Sequence, residues 1–212
     1  MVTYVRSKLF RRLLGAAMLG VSALCGVAFL GEAEAWRLAR QDVTNGSVIL
    51  QEALPQGKSV NYYTSLADYA LAVRPIDYDL AEQATGKILA RMTHDAQAWN
   101  RLAFIDLRRN RQLTRDGVAA LYKSYEASPY GDLAMMIWRV EFGSSVWTSL
   151  PDDLRQWTLA QIPIIGRFGV SWEWRVRACR ENPHEQIWRA ACDIAPGVVR
   201  PGTGGGNFEK NG

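Results

Sequence analysis

The sequence predicts an all-α fold of stacked antiparallel helical hairpins behind an N-terminal targeting segment. Apolar residues recur at spacings of three and four through most of the chain from Tyr62 onward, which is the period of an amphipathic helix. Residues that favour helix starts, and prolines that end helices, separate these runs. Basic residues followed by an uncharged apolar run open the chain, as in an export signal.

Composition divides the chain into four segments. We expect residues 1–35 to be a signal peptide or membrane anchor and residues 36–61 to be an irregular lead-in. The helical-repeat domain is predicted over residues 62–195. Residues 196–212 are rich in Gly and Pro and have almost nothing to bury, so they are predicted to be a disordered tail.

The N-terminal segment has two interpretations. Residues 13–31 carry no charge, and Ala33-Glu34-Ala35 forms a small-x-small cleavage pattern with Trp36 as the first mature residue. The apolar run is also close to the ~20 residues that span a bilayer, so it could remain as an inner-membrane anchor. Both interpretations export the rest of the chain and predict a periplasmic location.

The positive net charge does not indicate nucleic-acid binding. The formal net charge is +4, and four basic residues precede the apolar run: Arg6, Lys8, Arg11 and Arg12. Without them the net charge is near zero. A nucleic-acid-binding protein needs its basic residues on the folded domain, so nucleic acid is not an expected partner.

Helix starts and stops define the central part of the chain. Asp77, Asp95 and Thr114 each precede an apolar stripe of helical period, and each side chain can accept from a free amide of the first turn. Ser128-Pro129 is predicted to end the third of these helices, because the residue before proline avoids helical geometry.

This central region resembles one tetratricopeptide repeat. The similarity rests on Ala96, Gln97, Ala98, Trp99, Leu102, Ala103, Leu121, Ser124 and Pro129, within a repeat of about 34 residues. Three positions depart from the family pattern: Ala103, Asp106 and Gly117 stand where the family prefers Gly, Tyr and Ala. The resemblance covers residues 77–129 and implies stacked hairpins with a protein-binding groove. An ordinary helical bundle remains the alternative.

The pattern continues after Pro129. Asp132 is predicted to cap a helix that Gly143-Ser144-Ser145 interrupts. Pro151 suits the first turn of the next helix, and Pro163 is predicted to stop it. Asn182, followed by Glu185, is predicted to cap the last helix.

Cysteine usage gives the best chemical prediction. Outside the apolar run only Cys179 and Cys192 remain, on either side of a predicted turn between two helices. An antiparallel hairpin would bring them together, and the exported compartment permits a disulfide. A pair of buried free thiols is the alternative.

No catalytic, metal-binding or cofactor-binding residues are predicted. The two histidines, His94 and His184, are expected to be solvated, and their spacing from the cysteines matches no zinc motif. Asp106 and Glu173 could in principle form the carboxylate pair of a glycosidase. A partly buried Asp106 bonded to a neighbouring arginine is the simpler interpretation.

The aromatic residues supply the candidates for partner or ligand binding: Tyr62, Tyr63, Trp172 and Trp174. Trp172 and Trp174 are two residues apart and cannot both face the same side of a helix. At least one of the two is therefore expected at the surface, where aromatic rings anchor protein interfaces or stack on sugars.

The function predicted from the sequence is a non-catalytic adaptor or scaffold of the cell envelope that binds a protein partner in a helical groove. The alternative is an accessory or binding factor for surface polysaccharide (exopolysaccharide) assembly or export. A carboxylate-dependent, glycan-active enzyme is the third class. A concave cleft that holds two close acids with raised pKa would favour the enzyme, whereas a groove lined by Trp and Arg would favour the other two.

Overall fold

The computed structural model describes residues 26, 30–41, 54 and 57–198 of the chain. This part is all-helical and contains no β-strand, so the predicted all-α class is confirmed. Most of the predicted targeting segment and nearly all of the predicted tail lie outside the described residues. Signal cleavage and tail disorder therefore stay predictions.

Within the described ranges, no helix is long and apolar enough to cross a membrane. The predicted anchor, residues 13–31, falls almost entirely outside those ranges.

Two compact units make up the chain, residues 1–91 and residues 92–212. In the first unit, residues 30–41 are helical (α1) and are followed by α2 (Val60–Ala72) and α3 (Tyr78–Leu89). Part of the predicted irregular lead-in is thus helical, and α2 begins two residues before the expected boundary. Asp77 caps α3 as predicted, because its carboxylate accepts from the Leu80 amide at 2.9 Å.

The second unit holds six α-helices and one short 3₁₀ helix in its described part. Their bounds are α4 (Ala96–Asn110), α5 (Arg115–Ala127), α6 (Leu133–Ser145), the 3₁₀ helix (Trp147–Ser149), α7 (Asp152–Arg167), α8 (Trp172–Glu181) and α9 (Glu185–Asp193). Helix α4 packs against α5, α6 against α7 and α8 against α9, and α7 also contacts α5 and α9. Consecutive helices therefore form three hairpins.

Three predicted N-caps in this unit are confirmed. Asp95 accepts from the Ala98 amide at 2.8 Å and Asp132 accepts from the Met135 amide at 2.7 Å. Thr114 caps α5, and α5 ends at Ala127 before the predicted Ser128-Pro129 stop. These caps could be predicted because an N-cap side chain bonds an amide only two or three residues further along the chain.

Two predicted interruptions are wrong. Pro163 lies inside α7. An interior proline costs about 3 kcal/mol, but Ile162 and Ile165 beside it are fully buried and contribute about 2 kcal/mol each. Gly143 also stays helical. A Cβ there would lie 3.1 Å from Cγ2 of Thr158, so the glycine allows α6 to approach α7 closely.

The start of the last helix also differs from the prediction. Helix α9 begins at Glu185 with His184 at the N-cap position, where no side chain caps it. The side chain of Asn182 instead serves the turn before the helix, since its Oδ1 accepts from the His184 amide at 3.0 Å. Its Nδ2 donates to Oγ of Ser144 at 2.8 Å, a long-range contact that the sequence does not reveal.

The predicted cysteine pair is at bonding distance. The Sγ atoms of Cys179 and Cys192 are 1.94 Å apart, so a disulfide joins α8 to α9. Cys179 is fully buried beside Ile187 and Ala191, which are themselves in the core of this unit.

Candidate functional site

In the described part of the second unit, two of the clefts lie between helices of successive hairpins. The first, which we call the aromatic cleft, has a volume of about 340 Å³. It is lined by Tyr125, Glu126, Pro129, Tyr130, Trp157 and Ala160, which come from α5, the following loop and α7. The second, the polar cleft, lies between α6 and α8.

The aromatic cleft presents two large rings to solvent. Tyr130 is 61% exposed and Trp157 is 39% exposed. Trp157 packs edge-on against Tyr122, with ring centroids 5.6 Å apart, and at a tilt against Tyr125 at 5.5 Å. The indole is therefore held in place although much of it is open to solvent.

Tyr125 forms the buried wall of this cleft. Its hydroxyl makes a 3.0 Å hydrogen bond with Oγ1 of Thr158, which in turn donates to the Leu154 carbonyl at 2.8 Å. Burial raises the pKa of Tyr125 above its ordinary value. Its ring also supports the guanidinium of Arg139, whose Cζ lies 4.3 Å from the ring centroid, within cation–π range.

Arg139 is the largest polar side chain in the core, and it binds oxygen atoms of the last turn of α5. It donates to the carbonyl oxygens of Ser124 at 2.6 Å and Ser128 at 2.8 Å. A cation is favourable there because the carbonyls at a helix C-terminus carry partial negative charge. Burial lowers the pKa of Arg139 from its ordinary value.

Ser124 extends this contact to a third helix. Its Oγ is 2.6 Å from Oδ1 of Asn100 and 2.9 Å from the Ala96 carbonyl, while Arg139 donates to the same Oγ at 2.7 Å. The end of α5 is thus tied to α4 and to α6. The resemblance placed Ser124 in the repeat pattern, but its role in this network is visible only in the structure.

Pro129 completes the frame of the aromatic cleft. Its carbonyl accepts from Nε2 of Gln161 at 3.0 Å, so the loop after α5 is attached to α7. Tyr130 follows directly, and its exposed ring therefore projects from an anchored loop. The hydrogen bond at Pro129 orders the backbone of this loop, which lowers the entropy that binding must offset.

Tyr122 lies at the edge of the cleft beside an acid. Its hydroxyl donates to Oδ1 of Asp153 at 2.5 Å. This hydrogen bond, with smaller contributions from burial and from the charge of Asp153, raises the pKa of Tyr122 to about 12.

The polar cleft has a volume of about 260 Å³ and a different lining: Val140, Glu141, Ser144, Trp174, Arg177, Ala178, Glu181 and Asn182. Glu141 is its central polar group. One oxygen of this carboxylate accepts from Nε1 of Trp174 at 3.1 Å and from the guanidinium of Arg177 at 3.1 Å. Both contacts run from α6 to α8, so they join neighbouring hairpins.

The far end of the polar cleft is also hydrogen-bonded. The hydroxyl of Ser144 accepts a hydrogen bond from Nδ2 of Asn182. The carbonyl oxygen of Ser144 lies 2.9 Å from Nε2 of His184. His184 is half-buried and its ring lies 5.8 Å from that of Trp147, so the expectation that it is solvated is wrong. His94 is exposed, as expected.

The four aromatic candidates from the sequence differ in exposure. Tyr62 and Tyr63 are 2% and 1% exposed, so their interpretation as surface aromatics is wrong. They fall on the buried side of α2 because consecutive residues near a helix start can both pack inward. Trp172 is 50% exposed, which agrees with the expectation that one of the α8 pair is at the surface. Trp174 is 5% exposed and lines the polar cleft.

The carboxylates that a glycosidase would have to use, Asp106 and Glu173, are not brought together by any contact that the structure shows. Asp106 accepts from the amide and hydroxyl of Thr114, at 2.8 and 2.7 Å, and from Nδ2 of Asn110 at 2.8 Å. The carboxylate of Asp106 is therefore bonded to residues at the end of α4 and the start of α5. These hydrogen bonds do not involve the neighbouring arginine that we expected as its partner. Glu173 is exposed on α8. Among the described residues no group of three His, Cys, Asp or Glu could hold a metal ion.

Comparisons with protein-family models, with curated proteins and with solved structures give no match for this chain. No relative therefore supplies a function. The chemistry of the two clefts has to be interpreted from their own residues.

Of the residues that line the two clefts, the sequence singled out only Trp174 as a binding candidate. Trp157 shares a helical face with the buried Leu154, so periodicity places it in the core, whereas it lies at the edge of that face. Tyr130 sits in a loop, where periodicity gives no information. The pairing of Glu141 with Arg177 spans 36 residues and has no local signal.

Proposed function

We propose that this protein is an exported, non-catalytic adaptor of the cell envelope and that it binds a protein partner through the aromatic cleft. The observation that carries the proposal is the pair of exposed rings, Trp157 and Tyr130, on an anchored frame. Trp and Tyr are the residues that most often dominate binding energy at protein interfaces, especially when they lie in a preformed depression.

The arrangement of the hairpins supports a tetratricopeptide-like stack as the scaffold. The second helices of successive hairpins are in contact, α5 with α7 and α7 with α9. The first helices α6 and α8 are linked by the bonds from Glu141 to Trp174 and Arg177. Contacts of helix on equivalent helix are expected in a solenoid, and they support the proposed stack.

Export is supported by the cysteine pair. Disulfides persist in oxidising compartments such as the periplasm, and the bond between Cys179 and Cys192 fits that location. The basic and apolar character of residues 1–31 points the same way.

The test is a comparative capture from solubilised envelopes. Tagged wild-type protein, Trp157→Ala and Tyr130→Ala are used as baits, with Trp172→Ala as the matched control. Trp172 is also an exposed tryptophan, but it lines neither cleft. Eluates are analysed by mass spectrometry and for glycan.

We expect the wild type and Trp172→Ala to recover one protein in stoichiometric amount. Trp157→Ala and Tyr130→Ala should recover at least tenfold less of that protein. Direct binding of that purified protein should show the same order. Equal recovery by all four baits, or recovery of glycan without a stoichiometric protein, would contradict the adaptor role.

A second candidate function, an accessory or binding factor for surface polysaccharide assembly or export, is favoured by the polar cleft. A tryptophan, an arginine and two carboxylates face one space there.

A further inference from the structure

The polar cleft combines apolar side chains with hydrogen-bonding groups of both kinds. Glu141 and Glu181 supply acceptors, Arg177 supplies donors, and the Ser144 hydroxyl can do either. Ligand sites in proteins likewise place convergent polar groups beside apolar surface. The volume of about 260 Å³ is just below the range of about 300–1,000 Å³ for such sites and suits a ligand of one ring.

We infer that the polar cleft binds uncharged sugar residues with adjacent hydroxyl groups. A sugar offers what this lining requires: hydroxyls that donate to carboxylates and accept from a guanidinium, and C–H groups that pack against apolar side chains such as Val140 and Ala178. The inference rests on the second candidate function and is independent of the protein partner proposed for the aromatic cleft.

Charge selects against acidic ligands. The lining contains two carboxylates and one guanidinium, and the guanidinium is already paired with Glu141. An anionic sugar would place its carboxylate beside Glu141 and Glu181, where like charges repel. A neutral sugar meets no such cost.

The polar groups are arranged before any ligand arrives. Two donors, from Trp174 and Arg177, bind the same Glu141 oxygen, so the carboxylate is oriented and its other oxygen remains to accept. Asn182 is held by Ser144 at the opposite end. The disulfide at Cys179, next to Ala178 of the lining, ties the ligand-facing helix α8 to α9. Preorganisation of this kind lowers the entropy that binding must offset.

Trp174 acts mainly by holding Glu141. Its side chain is only 5% exposed, so only a small part of the ring reaches the cleft and no ring face is open for stacking. Its Nε1 donates to Glu141 at 3.1 Å, which orients the carboxylate that faces the ligand.

The experiment measures direct binding by titration calorimetry with the full-length purified protein. The probes are neutral oligosaccharides of glucose, galactose, mannose and N-acetylglucosamine, and an oligosaccharide of glucuronic acid as the acidic comparison. Variants are Glu141→Gln and Arg177→Gln, with Arg180→Gln as the matched control. Arg180 is an exposed arginine on the same helix that does not line the cleft.

We expect at least one neutral probe to bind the wild type and Arg180→Gln with equal affinity. The same probe should bind Glu141→Gln and Arg177→Gln at least tenfold more weakly. The acidic probe should bind at least tenfold more weakly than its neutral counterpart. Thermal unfolding checks that both cleft variants are folded, and Glu181→Gln provides a further variant if one is not.

Three results would overturn the inference: no neutral probe binds, binding is unchanged in the cleft variants, or the acidic probe binds as well as the neutral one. Trp157→Ala separates this site from the adaptor role. It should keep sugar binding while it loses the protein partner, so either proposal can fail without the other.

Discussion

Arg139 donates to both oxygen atoms of Ser124, to the carbonyl at 2.6 Å and to the hydroxyl at 2.7 Å. Both residues are buried, at 1% and 0% exposure, and the arginine lies on α6 while the serine lies in the last turn of α5. A buried cation is costly unless its donors are satisfied. Here the oxygens at the end of a helix satisfy most of them, and the same contact fixes the wall of the aromatic cleft through Tyr125.

Arg139→Met should destabilise the second unit by about 3 kcal/mol, because buried carbonyl oxygens of Ser124 and Ser128 lose a charged donor. All tryptophans except Trp36 lie after residue 92, so fluorescence-detected urea unfolding reports mainly on this unit. The exposed Arg180→Met is the control and should change the free energy of unfolding by less than about 0.5 kcal/mol. Equal stability of the two variants would show that the network is not important for folding.

Gly117→Ala should destabilise the hairpin of α4 and α5 by about 2 kcal/mol, the cost of overpacking. A Cβ at Gly117 would lie 2.3 Å from Oδ2 of Asp106 and 2.6 Å from Cδ1 of Leu113. The carboxylate cannot move away freely, since it accepts from Thr114.

Gly86→Ala in α3 is the matched control for that substitution. Nothing lies within 4 Å of a Cβ there, so the higher helix propensity of alanine should stabilise the first unit by about 0.5–1 kcal/mol. Circular dichroism of thermal unfolding compares the two variants with the wild type. A neutral Gly117→Ala would mean that α4 and α5 can separate without cost.

Reduction of the disulfide should lower the free energy of unfolding by about 3 kcal/mol, the value expected for closing a loop of this length. Urea unfolding with and without a phosphine reductant measures the difference. The double variant Cys179→Ser/Cys192→Ser should already be destabilised, and reductant should cause no further change in it. Labelling of both thiols in the native, unreduced protein would contradict the bond.

Alkaline titration should show Tyr122 among the tyrosines that ionise late. The pKa of Tyr122 is about 12 in the folded state, above the ordinary value of 10.0, so the folded state holds this proton more tightly than the unfolded state. The resulting stabilisation is complete below pH 10 and is lost as the pH rises through 12. Ultraviolet absorbance of tyrosinate follows the titration.

Two variants assign that titration. Asp153→Asn should lower the pKa of Tyr122 toward its ordinary value of 10.0, because the acceptor of the 2.5 Å hydrogen bond loses its charge. Tyr122→Phe should remove the ionisation near pH 12, whereas the late ionisation of the buried Tyr125 should remain. If the wild type and both variants titrate identically, the contact between Tyr122 and Asp153 is absent in solution.

Local signals explain which parts of the fold could be predicted. Asp77, Asp95, Thr114 and Asp132 cap helices as expected, because capping depends on an amide two or three residues away. The predictions failed where a distant contact prevails over a local preference. Pro163 is the plainest case, since buried isoleucines on both sides keep its helix intact.

Exposure of the aromatic rings could not be predicted in the same way. Periodicity shows that residues share a face of a helix, but it does not show how far the neighbouring helix covers that face. Tyr62 and Tyr63 are covered, whereas Trp157 lies at the edge of its buried face and remains partly open. The residues that line the two clefts therefore differ from the four aromatic candidates predicted from the sequence. Of those four candidates, only Trp174 lines one of the two clefts.

By itself, the sequence determined the all-helical class, most helix boundaries and the pairing of Cys179 with Cys192, because each depends on residues that are near one another along the chain. Only the tertiary structure decided where polar side chains are buried and which rings reach solvent. Arg139 meets Ser124 across 15 residues, and Arg177 meets Glu141 across 36. Such contacts depend on how whole helices pack, and packing is a property of the assembled core that no local pattern encodes.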